Sequence, residues 1–217
     1  MPDKRPHRHR YDVSGNIEAE YVDAAQTVLV NKLGLQDLES LLIAEEESLA
    51  QAYETLLRDV RTDTPLKCEL LCHIHHRIFG GLYAWAGKWR TVTISKPGIT
   101  WPPPLFVPRA MDEFERDVLA KYLAEKLRTD IEFCRAAAEI QGDFLVVHPF
   151  REGNARTIKL ACDLLAVQTG RPVLLYDQSA AGSERYILAA DQAFKRDYRL
   201  LESIILAALA AGRWQAP

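Results

Sequence analysis

Apolar positions along the chain recur mostly at helical spacing, and they predict a succession of amphipathic helices. Leu38, Leu41, Leu42, Leu49, Ala52, Tyr53 and Leu56 mark one long helix, whose opposite face carries Glu39, Glu45, Glu46, Glu47 and Glu54 and is expected to meet solvent or a partner. Asp63-Thr64-Pro65 reads as the start of a second, running through Cys68, Leu71, Cys72 and His75 to Phe79-Gly80-Gly81. Met111, Phe114, Val118 and Tyr122 place a third between Val107 and Leu127. Ile131 to Val147 and Ile158, Ala161, Cys162 and Leu165 give two more, the second starting near Asn154 or Ala155 and ended by Gly170. Ser183 is a cap candidate for a further helix, and Leu200 to Leu209 closes the series. Before them, Tyr11 to Gly34 reads as a loop-rich lead-in with a short helical piece at Thr27 to Leu33.

One stretch breaks the helical period. Thr91 to Ser95 alternates at period two, Lys96-Pro-Gly98 is a turn, Ile99-Thr-Trp101 follows, and Pro102 to Pro104 ends the unit. A lone hairpin is marginal in water, so this one must pack on the helices or move. The fold expected is all-α, mainly a helical bundle, with one small β-hairpin.

Composition narrows the class. A chain of 217 residues, 48% hydrophobic, suits one domain with a sizeable core. Residues 1 to 10 read as a flexible tail and 11 to 217 as a single domain, with a lead-in over 11 to 61 and a core over 62 to 209. A net charge of −3 and a pI near 6.1 argue against nonspecific nucleic-acid binding. No apolar run approaches ~18 uncharged residues and no apolar segment follows the basic first residues, so neither a membrane span nor a secretory signal is expected, and the cytoplasm is the default compartment. Cys68, Cys72, Cys134 and Cys162 lie in apolar helical contexts and read as reduced core residues. Cys68, Cys72 and His75 or His76 share a helical face, but no second pair completes a zinc site.

Polar chemistry is concentrated at the junction His148-Pro-Phe-Arg-Glu-Gly-Asn-Ala-Arg-Thr157. Gly153 lets the chain turn sharply, and the helix that starts there presents unpaired N–H groups, which bind anions, most often phosphate. Around that terminus stand one imidazole (His148), one carboxylate (Glu152), one amide (Asn154) and three cations (Arg151, Arg156, Lys159). The cations suit phosphate, the carboxylate suits a hard metal ion bridging a nucleotide, and the imidazole suits proton abstraction from a hydroxyl.

This junction resembles the signature of the Fic family, His-x-Phe-x-(Asp/Glu)-Gly-Asn-(Gly or a small residue)-Arg-x-x-Arg. Leu82-Tyr-Ala-Trp-Ala-Gly-Lys-Trp-Arg90 is similar to the segment that precedes the flap in the same family. The resemblance implies a Fic-like fold and a protein adenylyltransferase moving AMP from ATP onto a protein hydroxyl. It implies His148 as general base and Glu152 as ligand of Mg²⁺. Arg151, Gly153, Asn154, Ala155, Arg156 and Lys159 would form the nucleotide site, Phe150 would anchor the loop, and Tyr186 is a candidate for the base contact. Thr93, Ile94, Ser95 and Lys96 would be the flap that grips a target segment by strand addition. Two positions depart from the pattern: Ala155 replaces the commoner Gly, and Lys159 stands where many members carry a second Arg, keeping the charge but losing the bidentate fork.

The resemblance leaves two other readings open. One is a Doc-like protein phosphotransferase, to which Lys159 points; the other is a binding module that keeps the fold without turnover. For regulation, Ser14-x-x-x-Glu18-Ala19 only partly matches the internal inhibitory motif of the family, and Thr27 to Leu35 is similar to the start of toxin-type members. A separate small antitoxin or inhibitor protein is the partner this implies.

Overall fold

The computed structural model describes residues 16–59, 61, 63–96 and 98–215. Seven α-helices and one short hairpin follow in order among them: α1 Leu38–Asp59, α2 Cys68–Phe79, β1 Ser95–Lys96, β2 Ile99–Thr100, α3 Val107–Asp117, α4 Asp130–Val147, α5 Asn154–Gln168, α6 Ala180–Ala193 and α7 Arg199–Gln215. The expected tail at 1 to 10 and Ser14 lie outside the described residues.

Helix α4 is the centre, packed against α3, α5, α6 and α7. Its sequence explains the position. Phe133, Ala136, Ala137, Ala138, Ile140 and Phe144 are fully buried, so the helix is apolar around most of its circumference and must be covered on several sides. A capping box starts it: the Thr129 side chain accepts from Glu132 N while the Glu132 carboxylate accepts from Thr129 N. Helices α1 and α2 pack on each other and on α5, completing the second half of the core.

Several boundaries differ from the sequence expectation, each for a local reason. No helix forms over 27 to 33. The Asp23 carboxylate accepts the N–H groups of Thr27 and Val28 and Tyr21 bridges Leu29, so this β-branched run is held in an extended turn. Helix α2 starts at Cys68, not at Asp63-Thr64-Pro65; the Glu115 carboxylate accepts from Cys68 N at 2.7 Å and supplies a cap from another helix. The helix expected over 107 to 127 ends at Asp117 and continues as 3₁₀ turns at Leu119–Lys121 and Ala124–Lys126, which let both Lys121 and Tyr122 reach Glu139. Ser179, not Ser183, caps α6, accepting from Gly182 N at 3.1 Å. The acidic face of α1 is solvated at Glu46 and Glu47, but Glu45 is buried.

The strands pair antiparallel, Ser95 opposite Thr100 and Lys96 opposite Ile99. They are shorter than the alternation suggested. All four cysteines are free and sit in α2, α4 and α5. No described helix is long and apolar enough to cross a membrane.

Candidate active site

The loop between α4 and α5 is built on two left-handed residues. His148 terminates α4 with φ +51°, and Gly153 precedes α5 with φ +76°. Position 153 excludes any side chain, because a Cβ there would lie 2.1 Å from Phe79. Between them Phe150 is fully buried and stacks on His75 with ring centroids 3.8 Å apart. Asn154 closes the loop on itself: its amide donates to Phe150 O and its Oδ1 accepts from Phe150 N, both at 2.9 Å. The side chain of Asn154 is therefore a brace, and what the residue offers a ligand is its backbone N–H. The first-turn amides of Asn154, Ala155 and Arg156 precede the first closed helical bond, Thr157 N to Gly153 O, and have no partner within the helix. They are unpaired donors at the helix end where the sequence leads one to expect an anion.

His148 has a defined tautomer. Its Nδ1 lies 3.1 Å from Leu145 O, which can only accept, so Nδ1 carries the proton and Nε2 keeps its lone pair. Burial draws the imidazole down to about 4, with the Leu145 carbonyl opposing, so the ring is neutral at pH 7. A neutral imidazole with a free Nε2 is a competent proton acceptor.

The Glu152 side chain is half-exposed; its Oε1 accepts from Gly153 N at 2.9 Å and lies 3.8 Å from Arg156 Nη2. No group of three His, Cys, Asp or Glu side chains among the described residues converges on a metal position. One exposed carboxylate at an anion-binding turn nevertheless suits Mg²⁺, which is commonly held by one or two carboxylates together with substrate phosphates and water.

The other candidates are placed differently. Arg156 pairs with Glu45 at 2.6 Å and lies over the Phe79 ring, 4.7 Å from its centroid. Arg151 turns toward the N-terminal segment, where Nε donates to Glu18 O at 2.6 Å and Nη2 to Tyr21 Oη at 2.7 Å. Lys159 Nζ sits between two rings, 3.9 Å from the Tyr186 centroid and 4.4 Å from that of Tyr176, with its pKa lowered by burial. Gln141 fixes both tyrosines, accepting from Tyr186 Oη and donating to Tyr176 Oη, each at 2.7 Å. A cleft of about 1200 Å³ opens beside Arg156 and Lys159, walled by Leu42 and Leu49 of α1, Tyr176, Tyr186 and Ile204 of α7.

Thr93, Ser95 and Lys96 are exposed on the hairpin and Ile94 is half-buried. The hairpin is tied to the loop at its base. Trp101 is buried against the His148 ring, centroids 4.2 Å apart, and donates Nε1–H to the same Leu145 carbonyl at 3.0 Å. Arg90, 2% exposed, donates to His148 O, Val92 O and Pro102 O at 2.8, 2.9 and 2.7 Å; burial lowers its pKa to about 10.

Sequence reasoning overlooked four supports of this site. Arg90 and Trp101 stood inside recognised segments, but no period shows that they reach the loop. His75, read among the Cys and His residues of α2, donates Nε2–H to Glu152 O at 3.0 Å while its Nδ1 accepts from Gly87 N at 2.7 Å. Glu45 looked like one of three consecutive surface glutamates.

Comparison with known proteins identifies the family and the fold. Residues 65–166 match the model of the Fic/DOC family. The chain is 31% identical over 156 residues to "Protein adenylyltransferase VbhT" of Bartonella schoenbuchensis, a match covering 69% of this chain and 31% of that protein. It is 23% identical over 170 residues to "Probable protein adenylyltransferase y4lH" of Sinorhizobium fredii, covering 78% of this chain and 85% of that one. The chain thus spans under a third of VbhT but most of the y4lH protein. Among solved structures, the N-terminal FIC domain of the Bartonella effector protein Bep8 superposes with a TM-score of 0.75 at 20% identity, covering 90% of this chain and 97% of that domain.

Proposed function

From the premise that the chain belongs to the Fic/DOC family through residues 65–166, we propose that it is a protein adenylyltransferase, moving AMP from ATP to a hydroxyl side chain of another protein. The observation that carries the reading is His148, neutral and with Nε2 free, at the mouth of an anion-binding helix terminus. His148 Nε2 takes the proton of the target hydroxyl as its oxygen bonds to the α-phosphorus, and the bond to the departing pyrophosphate breaks. The amides of Asn154, Ala155 and Arg156, with the Arg156 guanidinium, stabilise charge on the phosphates. Glu152 is the residue to hold Mg²⁺, which when bound neutralises phosphate charge. Residues 93 to 96, which include the exposed short strand Ser95–Lys96, are the segment that would capture the target by strand addition. ATP and protein targets coexist in the cytoplasm, and the reading places the activity there.

The test is incubation of the purified chain with a bacterial lysate and each labelled nucleoside triphosphate, beside His148→Ala. Label from ATP alone, and only with His148 present, is the expected result. Label that persists in the variant rejects His148 as the base.

One observation favours a second reading. Lys159 lacks the fork of an arginine and is held by two tyrosines, which leaves the orientation of the nucleotide less fixed and admits the reversed placement that a Doc-like transfer of the terminal phosphoryl group would use. Intact-mass analysis of the modified target separates the two: an added phosphate in place of an added AMP selects the phosphotransferase.

The same proposal includes an inhibitor in trans, a separate small antitoxin-like protein. Glu18, the glutamate of the partial internal motif, is already engaged: its carboxylate accepts from Thr91 N and Oγ1 at 2.8 and 3.0 Å. If Glu18→Gly releases activity from a chain otherwise silent on its own, the inhibitor is internal.

A further inference from the structure

Three consecutive glutamates in α1 have different fates. Glu46 and Glu47 face solvent, whereas the Glu45 side chain is 6% exposed. A carboxylate so deeply placed requires partners, and it has one for each oxygen. Oε2 accepts from Arg156 Nη1 at 2.6 Å, across 111 positions of sequence, and Oε1 accepts from Tyr83 Oη at 2.6 Å. Tyr83 is itself fixed, 1% exposed and stacked on Trp85 with centroids 4.4 Å apart. The plane of the carboxylate is therefore set from two directions, by Arg156 of α5 and by Tyr83 of the 82–90 segment.

The consequence falls on Arg156. Its guanidinium has Glu45 on one edge, the Phe79 ring beneath it at 4.7 Å, and Glu152 Oε1 3.8 Å from Nη2. Only Nη1 donates a hydrogen bond among the described residues; Nη2 is turned toward the α4–α5 loop at a distance too long for one. An arginine free in solvent samples many rotamers, and this one is restricted to a geometry in which one edge is engaged and the other faces the phosphate site.

We propose that Glu45 is the positioning residue of Arg156, with Tyr83 as its support, so that α1 and the 82–90 segment together preset the phosphate-binding edge of that arginine. The proposal rests on the adenylyltransferase reading for its kinetic consequence, but not for its structural one. It also gives the tyrosine of Leu82-Tyr-Ala-Trp a role: that side chain holds the carboxylate which holds the arginine.

Glu45→Gln keeps the shape and an acceptor while removing the charge. The expected result with ATP and an acceptor protein is a fall in kcat/KM of roughly 10- to 100-fold, the range for a displaced positioning group. In an Arg156→Ala background the same change should cost less than about twofold, because the partner is already gone. An equal loss in both backgrounds would reduce Glu45 to a packing residue, and a gain in activity would make the pair a restraint on the site; either overturns the proposal. A readout independent of turnover is the ¹⁵N relaxation of the Arg156 Nε–H in the nucleotide-free chain. It should report an ordered guanidinium in the wild type and a mobile one in Glu45→Gln. Should Glu45→Gln not fold, Tyr83→Phe carries the test, with partial loss of Arg156 order expected and unchanged order contradicting the assignment. If the wild type transfers no label, the functional reading fails, and the relaxation data still decide whether Glu45 holds Arg156.

Discussion

Arg90 donates its Nε–H to the carbonyl oxygen of His148 at 2.8 Å. A buried guanidinium is costly, and this one is stabilised by hydrogen bonds to backbone carbonyls on both sides of the site, with the Glu18 carboxylate nearby also favouring its charge. It joins the base of the hairpin to the end of α4, so the flap and the base share one rigid support. Arg90→Lys keeps the charge but cannot reach three carbonyls in fixed directions. We predict a loss of about 2–3 kcal/mol of stability, seen as a melting temperature lower by roughly 5–10 °C, with activity falling further than the folded fraction. A variant with wild-type melting and turnover would show that the carbonyl contacts are dispensable.

Acid should act on this protein through two histidines. Burial holds His75 at about 3 and His148 at about 4, both below the ordinary value of 6.5. The unfolded chain therefore binds more protons between about pH 6.5 and those values, and stability falls as the pH drops through that window. Asp163 opposes the trend, because burial raises it to about 6 and the folded state takes up a proton there, but the two histidines together outweigh it. The urea midpoint should drop from pH 7 to pH 5, with His75 contributing about 1–2 kcal/mol. With His148 as the proposed base, turnover should be flat down to about pH 5 if measured on the folded fraction. A rate that falls with an apparent pKa near 6.5 would contradict the burial of His148.

What the sequence disclosed follows from the range of its signals. Helical periods are local, and α1, α4 and α5 emerge from them nearly whole; the loop between α4 and α5 stands out because its polar chemistry is contiguous from His148 to Arg156. The misreadings at Glu45 and at the start of α2 have one cause, a partner distant in sequence. Glu45 reads as a surface residue from the sequence because Arg156 lies 111 positions away, and Cys68 rather than Pro65 begins α2 because Glu115 caps it. Asp23 illustrates the local version: its carboxylate competes for the amides that a helix at 27 to 33 would use.

Gly153 meets two constraints that a substitution violates together. Its φ of +76° disfavours any Cβ, and a Cβ would overlap Phe79 Cε2 at 2.1 Å. Phe79 cannot withdraw easily, since it is fully buried, adjoins His75 and supports Arg156. Gly153→Ala should cost about 2–4 kcal/mol from overpacking and backbone strain, read by chemical denaturation. It should also weaken binding of a nonhydrolysable ATP analogue, because the amides of residues 154 to 156 move with the loop. Unchanged nucleotide affinity in a destabilised variant would mean that the loop relaxes without disturbing the anion site.

Lys159 offers the sharpest test of how the outer phosphates are read. Its ammonium is enclosed by Tyr176 and Tyr186, both fixed through Gln141, and it makes no ion pair among the described residues. A lysine held this way contributes a diffuse positive potential, whereas an arginine at the same position can extend a planar fork past the rings. Lys159→Arg should therefore tighten binding of ATP by about 1 kcal/mol, roughly fivefold, and leave ADP nearly unchanged. Calorimetric titration of both nucleotides in Mg²⁺ measures the ratio directly. An ATP-to-ADP ratio that stays constant would assign Lys159 to packing between the tyrosines, leaving Arg156 and the α5 amides to read the phosphates without it.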